Sequence, residues 1–311
     1  MAEFDCVRRF LLDDRSIRGQ VVRLQASWSA LLEHTDYPAP IQVLLGEAAV
    51  ASVLLAATLK FEGALTLQLQ GSGRVALLVA QCTHDFRVRA MAQFDATSSA
   101  SGFRELVGDG NVTVTIEADD RKSRYQGVVP LVGESLAASL EEYFDRSEQI
   151  PTVVRLTASR DVLAGVLVQR LPLAGGLIGS AVGSSQRLDD GSLDDTLLDE
   201  LWHTTSAAVH DLPQDILLSP SMAAVVTAVM AGEDTRLFGE QPIRFECRCA
   251  PDRVAALLRG LGESEVRDIL AEEGAVTVTC EFCHRPYAFD SIEVERLFAS
   301  AEMVPGSDTL N

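Results

Sequence analysis

Two short stretches decide how this chain is built: Arg244-Phe-Glu-Cys-Arg-Cys249 and Thr279-Cys-Glu-Phe-Cys-His284. The first carries a C-x-C pair, Cys247 and Cys249, and the second a C-x-x-C pair, Cys280 and Cys283. The first stretch reads as a short strand. Residues two apart in a strand point to one face, so both thiols project the same way. The second follows the alternating run Ala275-Val-Thr-Val-Thr279 and reads as the tight turn of a hairpin. Two such knuckles brought together give four converging sulfurs, the ligand set of a closed structural zinc site. The spacing predicts one zinc per chain in the reduced state, held by Cys247, Cys249, Cys280 and Cys283.

Other chemistries compete for the same residues. Cysteines that merely fill core have no reason to come in two pairs. Structural disulfides belong to oxidising compartments. Met1-Ala-Glu-Phe-Asp5 lacks the basic start, apolar stretch and cleavage site of a secretory leader, so the expectation is a cytoplasmic protein with reduced thiols. No apolar run is expected to reach the roughly eighteen residues of a membrane span. Cys280-Glu-Phe-Cys-His284 also fits the pattern of covalent haem attachment, which leaves Cys247 and Cys249 unexplained and calls for export. A thiol–disulfide oxidoreductase using Cys280 and Cys283 needs a catalytic thiol exposed at a helix start, whereas this pair lies between strands. Cys6 and Cys82 read as core thiols. The histidines, among them His284 beside the second pair, show no metal-ligand spacing.

Charge narrows the partners. The chain of 311 residues carries a net charge of -19. From Arg244 to Asn311 there are 7 arginines, no lysine and 13 acidic residues, and from Gln186 to Glu240 there are 2 arginines against 11 acids. Phosphate binding is driven by basic side chains that displace counterions, so an acidic zinc module argues against a nucleic-acid role. The glycine pairs Gly71-Ser-Gly73 and Gly108-Asp-Gly110, and the run Gly175-Gly-Leu-Ile-Gly179, lack the spacing of nucleotide-binding loops and read as turns.

The organisation predicted is α+β: an N-terminal mixed α/β body on largely antiparallel sheet (1–185), a helical linker (186–240), a small four-cysteine zinc module (241–298) and a flexible tail (299–311). Residues 21–28 read as a strand running into a helix, and strands are expected in 65–70, 74–79, 112–116, 125–129, 153–158 and 162–170, with a buried core helix over 41–59 and another helix over 135–146. Gly179-Ser-Ala-Val-Gly-Ser-Ser185 reads as a hinge. Ser192-Leu-Asp-Asp195 starts a linker helix whose stripe carries Leu193, Leu197, Leu198, Leu201 and Trp202. Ser219-Pro220 is expected to start a second helix, Met222 to Met230. Such amphipathic helices are too short for a core of their own and must lie on another surface, as a docked linker or a releasable cover. In the module, helices are expected around Leu258 and Val266, and Asp290-Ser-Ile-Glu293 caps a last one.

A module this small buries too little apolar surface to fold securely alone. Structural zinc contributes on the order of 10–16 kcal/mol, so losing the metal should unfold it. Zinc-bound cysteines are thiolates, the oxidisable form. The sequence thus permits an oxidation sensor without requiring one, since a zinc site can be purely structural.

The two cysteine pairs, with Phe245-Glu-Cys-Arg-Cys249 and Val266-Arg-Asp-Ile-Leu-Ala271, resemble the heat-shock protein 33 family of redox-regulated holdase chaperones. So do the body segments His34-Thr-Asp-Tyr-Pro-Ala-Pro40, Leu59-Lys-Phe-Glu-Gly63, Leu67-Gln-Leu-Gln-Gly71, Arg124-Tyr-Gln-Gly-Val-Val129 and Glu142-Tyr-Phe-Asp-Arg-Ser-Glu-Gln149. The resemblance implies a non-enzymatic stress protein that binds unfolding clients without ATP. It implies a reduced, zinc-bound inactive form. Oxidation then pairs Cys247 with Cys249 and Cys280 with Cys283, releases zinc and unfolds the module and linker. The oxidised form is implied to be a homodimer, with residues 1–185 binding clients and dimerising, and no membrane partner. The linker, with Leu197, Leu201 and Trp202, would be the cover over the client surface. His284 departs from the family pattern.

Overall fold

The computed structural model describes residues 5–12, 17–118, 124–171, 195–230 and 232–299. The expected hinge 179–185, the glycine run 175–179, Leu193 with the Ser192 start signal, and the tail beyond residue 299 lie outside them. The chain divides into two compact units, Met1–Glu246 and Cys247–Asn311.

The first unit is built on two antiparallel-dominated sheets. One has the order β10-β1-β2-β9-β8, from β1 (Cys6–Leu12), β2 (Ile17–Leu24), β8 (Thr152–Ala158), β9 (Leu163–Arg170) and β10 (Thr235–Pro242). The other has the order β11-β5-β4-β3-β6-β7. Its strands are β3 (Gly63–Gly71), β4 (Val75–Thr83), β5 (Arg87–Phe94), β6 (Gly110–Ala118), β7 (Arg124–Pro130) and the two-residue β11 (Arg244–Phe245). Helix α1 (Ala26–Leu32) follows β2, and α2 (Ala39–Thr58) packs on strands of both sheets. Two shorter helices complete the body, α3 (Phe103–Val107) and α4 (Leu136–Tyr143), the latter capped by the Ser135 side chain and continued by a π-helical turn over Phe144–Glu148.

Helix α2 is apolar over most of its surface because most of it is buried, with Leu45, Ala49 and Leu54 among its inaccessible residues. Contrary to the sequence expectation, α2 is long and apolar enough to cross a membrane by length and composition. Its burial between the sheets explains the same composition as a core helix. It approaches β9 closely: a Cβ at Gly165 would lie 2.5 Å from Val50 Cγ1, and one at Gly46 would lie 2.6 Å from Leu163 Cδ2.

The linker helices complete this unit. Helices α5 (Asp195–His210), α6 (Gln214–Leu217) and α7 (Met222–Val229) cover the opposite face of the five-stranded sheet. Val209, Leu212, Leu217, Val225 and Val229 join Cys6, Phe10, Ile17, Val21, Val153 and Val166 in a second core. Alternate residues of that sheet face the two cores: Val22 and Val154 turn to α2, Val21 and Val153 to the linker helices. A sheet covered on both sides reads as continuous apolar sequence, which is why Leu163–Arg170 does not alternate. Helix α7 is capped by Ser221, whose side chain accepts from the Ala224 amide, rather than by the expected Ser219.

The compact C-terminal unit starts at Cys247, not at 241. The residues just before it, β10 and β11, pair with β1 and β5 and so belong to the body sheets. The second unit contains α8 (Pro251–Leu261), α9 (Glu263–Glu273), the hairpin of β12 (Val276–Thr279) and β13 (Pro286–Phe289), and α10 (Ser291–Ala299). Leu258, Val266, Val276, Val294 and Leu297 form its core. Gly274 ends α9 in the left-handed conformation that a glycine adopts without a Cβ clash. The Asp290 and Glu293 side chains each accept the other's backbone amide, a capping box for α10.

Candidate metal centre

The four cysteines come from two irregular segments placed by the regular elements around them. The first pair does not lie in a strand: β11 stops at Phe245, and residues 246–250 carry no regular secondary structure. Pro251 starts α8 directly after them, and Arg253 Nη1 donates to the Arg248 carbonyl at 2.8 Å, fixing the loop between Cys247 and Cys249. The second pair does occupy the hairpin turn. Cys280 N donates to the Arg285 carbonyl at 3.1 Å, and His284 N donates to the Cys280 carbonyl at 2.8 Å. His284 takes φ 52, the left-handed conformation, and is half-buried. Its place is that of a turn residue.

The Sγ atoms of Cys247, Cys249, Cys280 and Cys283 all lie within 4.8 Å of one another. Cys247 and Cys280 are 3.6 Å apart, and Cys249 and Cys283 are 3.4 Å apart. These are non-bonded distances between free thiols. Four sulfurs at about 2.3 Å from a tetrahedral zinc would stand roughly 3.8 Å apart, so the cluster has the size of such a site. The backbone amides of Cys249 and Arg285 favour the thiolates of Cys247 and Cys283 respectively.

Desolvation pushes the thiols of Cys247 and Cys283 up. Burial pushes Cys249 up too, but hydrogen bonds from the Tyr287 hydroxyl and from the neighbouring thiols outweigh it and bring Cys249 down to about 7. Tyr287 donates to Cys249 Sγ at 3.1 Å. Sequence reasoning missed this residue. The signal was the alternation of β13, which sets Tyr287 and Phe289 on its less exposed face.

The cluster can hold a metal ion. It is poorly arranged for an oxidoreductase, because Cys283 is buried and the C-x-x-C pair sits in a hairpin turn rather than at a helix start. Cys6 and Cys82 lie elsewhere, buried in the two body cores, with Cys6 Sγ 3.8 Å from Met222 Sδ. Of the expected cover residues, Leu201 and Trp202 pack on the second core, whereas Leu197 is 56% exposed. The correction follows from helical phase: Leu198, Thr205 and Val209 point inward, and Leu197 falls off their stripe.

A family model described as Hsp33 protein matches residues 5–290. The "33 kDa chaperonin" of Methylobacillus flagellatus is 37% identical over 305 residues, covering 98% of each chain. The protein of the same name from Pseudomonas aeruginosa is 36% identical over 312 residues, covering 99% of each. A crystal structure of the 33 kDa chaperonin from Thermotoga maritima superposes with a TM-score of 0.76 at 21% identity, over 96% of this chain and 99% of that one. The family match and the relatives' names thus place the chain among chaperones rather than enzymes. The chain belongs to the Hsp33 family.

Proposed function

We propose that this protein is a redox-regulated, ATP-independent holdase whose reduced form, with one zinc on Cys247, Cys249, Cys280 and Cys283, is inactive. The observation that carries the reading is four thiols within 4.8 Å in a unit whose core, among the described residues, has five buried side chains. Soft thiolate ligands in a tetrahedral set suit zinc. Bound there, zinc would supply on the order of 10–16 kcal/mol of apparent folding free energy.

The chain's own groups do the rest. The Tyr287 hydroxyl orients the Cys249 sulfur, and Arg253 holds the loop between the first pair. Within each pair, Cys247 with Cys249 and Cys280 with Cys283, two thiolates pass two electrons to one peroxide. An S–S bond forms, the O–O bond breaks, and with two protons its oxygens leave as two waters. The ligand set is then consumed, and the small core cannot hold the unit folded.

Unfolding then spreads back along the chain to α5–α7. Their departure, with Leu201 and Trp202, uncovers Phe10, Ile17, Val21, Val153 and Val166, an apolar sheet face for unfolding clients. Residues 1–185 would bind clients and form the oxidised homodimer. The acidic charge disfavours nucleic acid, and the chemistry fits the reducing cytoplasm without a membrane partner.

The test is light scattering of a heat-denatured protein with reduced and peroxide-treated samples at equal concentration, with zinc and disulfides followed in parallel. Only the oxidised sample should suppress aggregation, after releasing one zinc per chain. Equal suppression by both would mean a constitutive chaperone, and suppression by neither a purely structural zinc unit.

A further inference from the structure

We infer that Tyr287 restrains Cys249: its hydroxyl hydrogen-bonds that sulfur and makes it a weaker nucleophile toward oxidants and alkylating agents. This rests on the reading of the four cysteines as ligands and switch, and deepens it. Tyr287 stands opposite Val278 in the β12–β13 ladder, and the strand's alternation leaves Pro286 and Ala288 exposed while Tyr287 and Phe289 are half-buried. From that position the hydroxyl reaches across 38 residues of sequence to Cys249 Sγ at 3.1 Å, joining the hairpin to the loop that bears the first pair.

A phenolic O–H donates and needs an acceptor when its ring is half-buried. The sulfur provides one, and the lone-pair density that it shares with the proton is withdrawn from attack on an electrophile. Partners of metal ligands tune their reactivity in this way. Apart from the other thiols, the groups that favour the Cys247 and Cys283 thiolates are backbone amides, of Cys249 and Arg285, which no substitution of a side chain removes. Cys249 is served by a side chain. The restraint on that sulfur is therefore the adjustable one.

The experiment uses the full-length reduced protein, its Y287F variant, which removes only the oxygen, and Y287L, which also removes the ring. Limited iodoacetamide labelling, in which sulfur displaces iodide, is mapped by peptide mass. Cobalt-loaded samples report the sulfur-to-metal charge-transfer band. In Y287F, Cys249 should label roughly tenfold faster relative to Cys247, at the low end of effects from such partners, and the band should move to lower energy. Phe keeps the ring packing, so a merely structural residue would move neither. Unchanged labelling and an unmoved band in Y287F overturn the inference. So does loss of metal in Y287L with Y287F like the wild type, which would make Tyr287 a packing residue. Wild-type protein that binds no metal would instead sink the reading of the site, while labelling of the metal-free proteins at a pH that ionises every thiol still decides the role of Tyr287.

Discussion

The two compact units reach their folded states by different means. Among the described residues, the N-terminal unit has one cluster of 42 buried residues and a second of 17, separated by a sheet that is covered on both faces. The four-cysteine unit arranges three helices and a hairpin around five buried side chains, and leaves Leu257, Leu261 and Ile292 more than half exposed. Burial is sufficient for the first. The second has capping, a short ladder and a left-handed helix stop, but each of these contributes about a kilocalorie per mole. On the proposed function such a unit depends on its metal to stay folded, and what depends on a ligand can be unfolded by removing it.

The largest expected effect breaks or sharpens that contrast directly. Chelation under reducing conditions should remove the order of 10 kcal/mol from the second unit and leave the first untouched. Hydrogen exchange should lose protection in β12 and α8–α10 and keep it in β3 and β6. Loss throughout the chain, or none, would erase the distinction.

A smaller effect probes the body alone. Gly165→Ala forces a methyl against Val50 and Leu156, the latter 3.1 Å away, and should destabilise the first unit by about 1–3 kcal/mol. Thermal unfolding should register the loss while metal content stays constant. A change in metal content would show that the two units do not depend on separate forces.

The smallest effect depends on pH. Glu47 sits on α2, where burial pushes its carboxyl up to about 7 against the pull of Arg155. The folded carboxyl therefore keeps its proton where an unfolded one has lost it. Below the ordinary value of 4.5 both states are protonated and stability is full. It drains as pH rises from there to about 7, and stays lost above. Glu47→Gln should thus stabilise the body by about 1–2 kcal/mol at pH 8 and by almost nothing at pH 4. Urea midpoints at the two pH values give the answer, and equal shifts at both would remove Glu47 from the account.

The sequence was most legible where local rules act alone. The alternation of Leu65–Gln70, the Gly274 stop and the Asp290–Glu293 capping box each need only neighbours along the chain, and each is found. It was least legible at 235–245. Thr235–Pro242 carries no strict alternation, and it becomes a strand because β1 offers an unpaired edge. The same applies to the first cysteine pair, which converges with the second although no strand presents it.

By itself, then, the sequence determined the α+β class, the central helix, the four-cysteine knuckles and the family resemblance. These follow from spacing, periodicity and residue type, which are properties of neighbours in the chain. Only the tertiary structure decided which face of the linker helix turns inward, that β10 and β11 belong to the body, and that Tyr287 reaches Cys249. Those depend on helical phase against a particular sheet, on a free edge and on a contact between segments 38 residues apart, and packing alone brings such groups within a few ångströms.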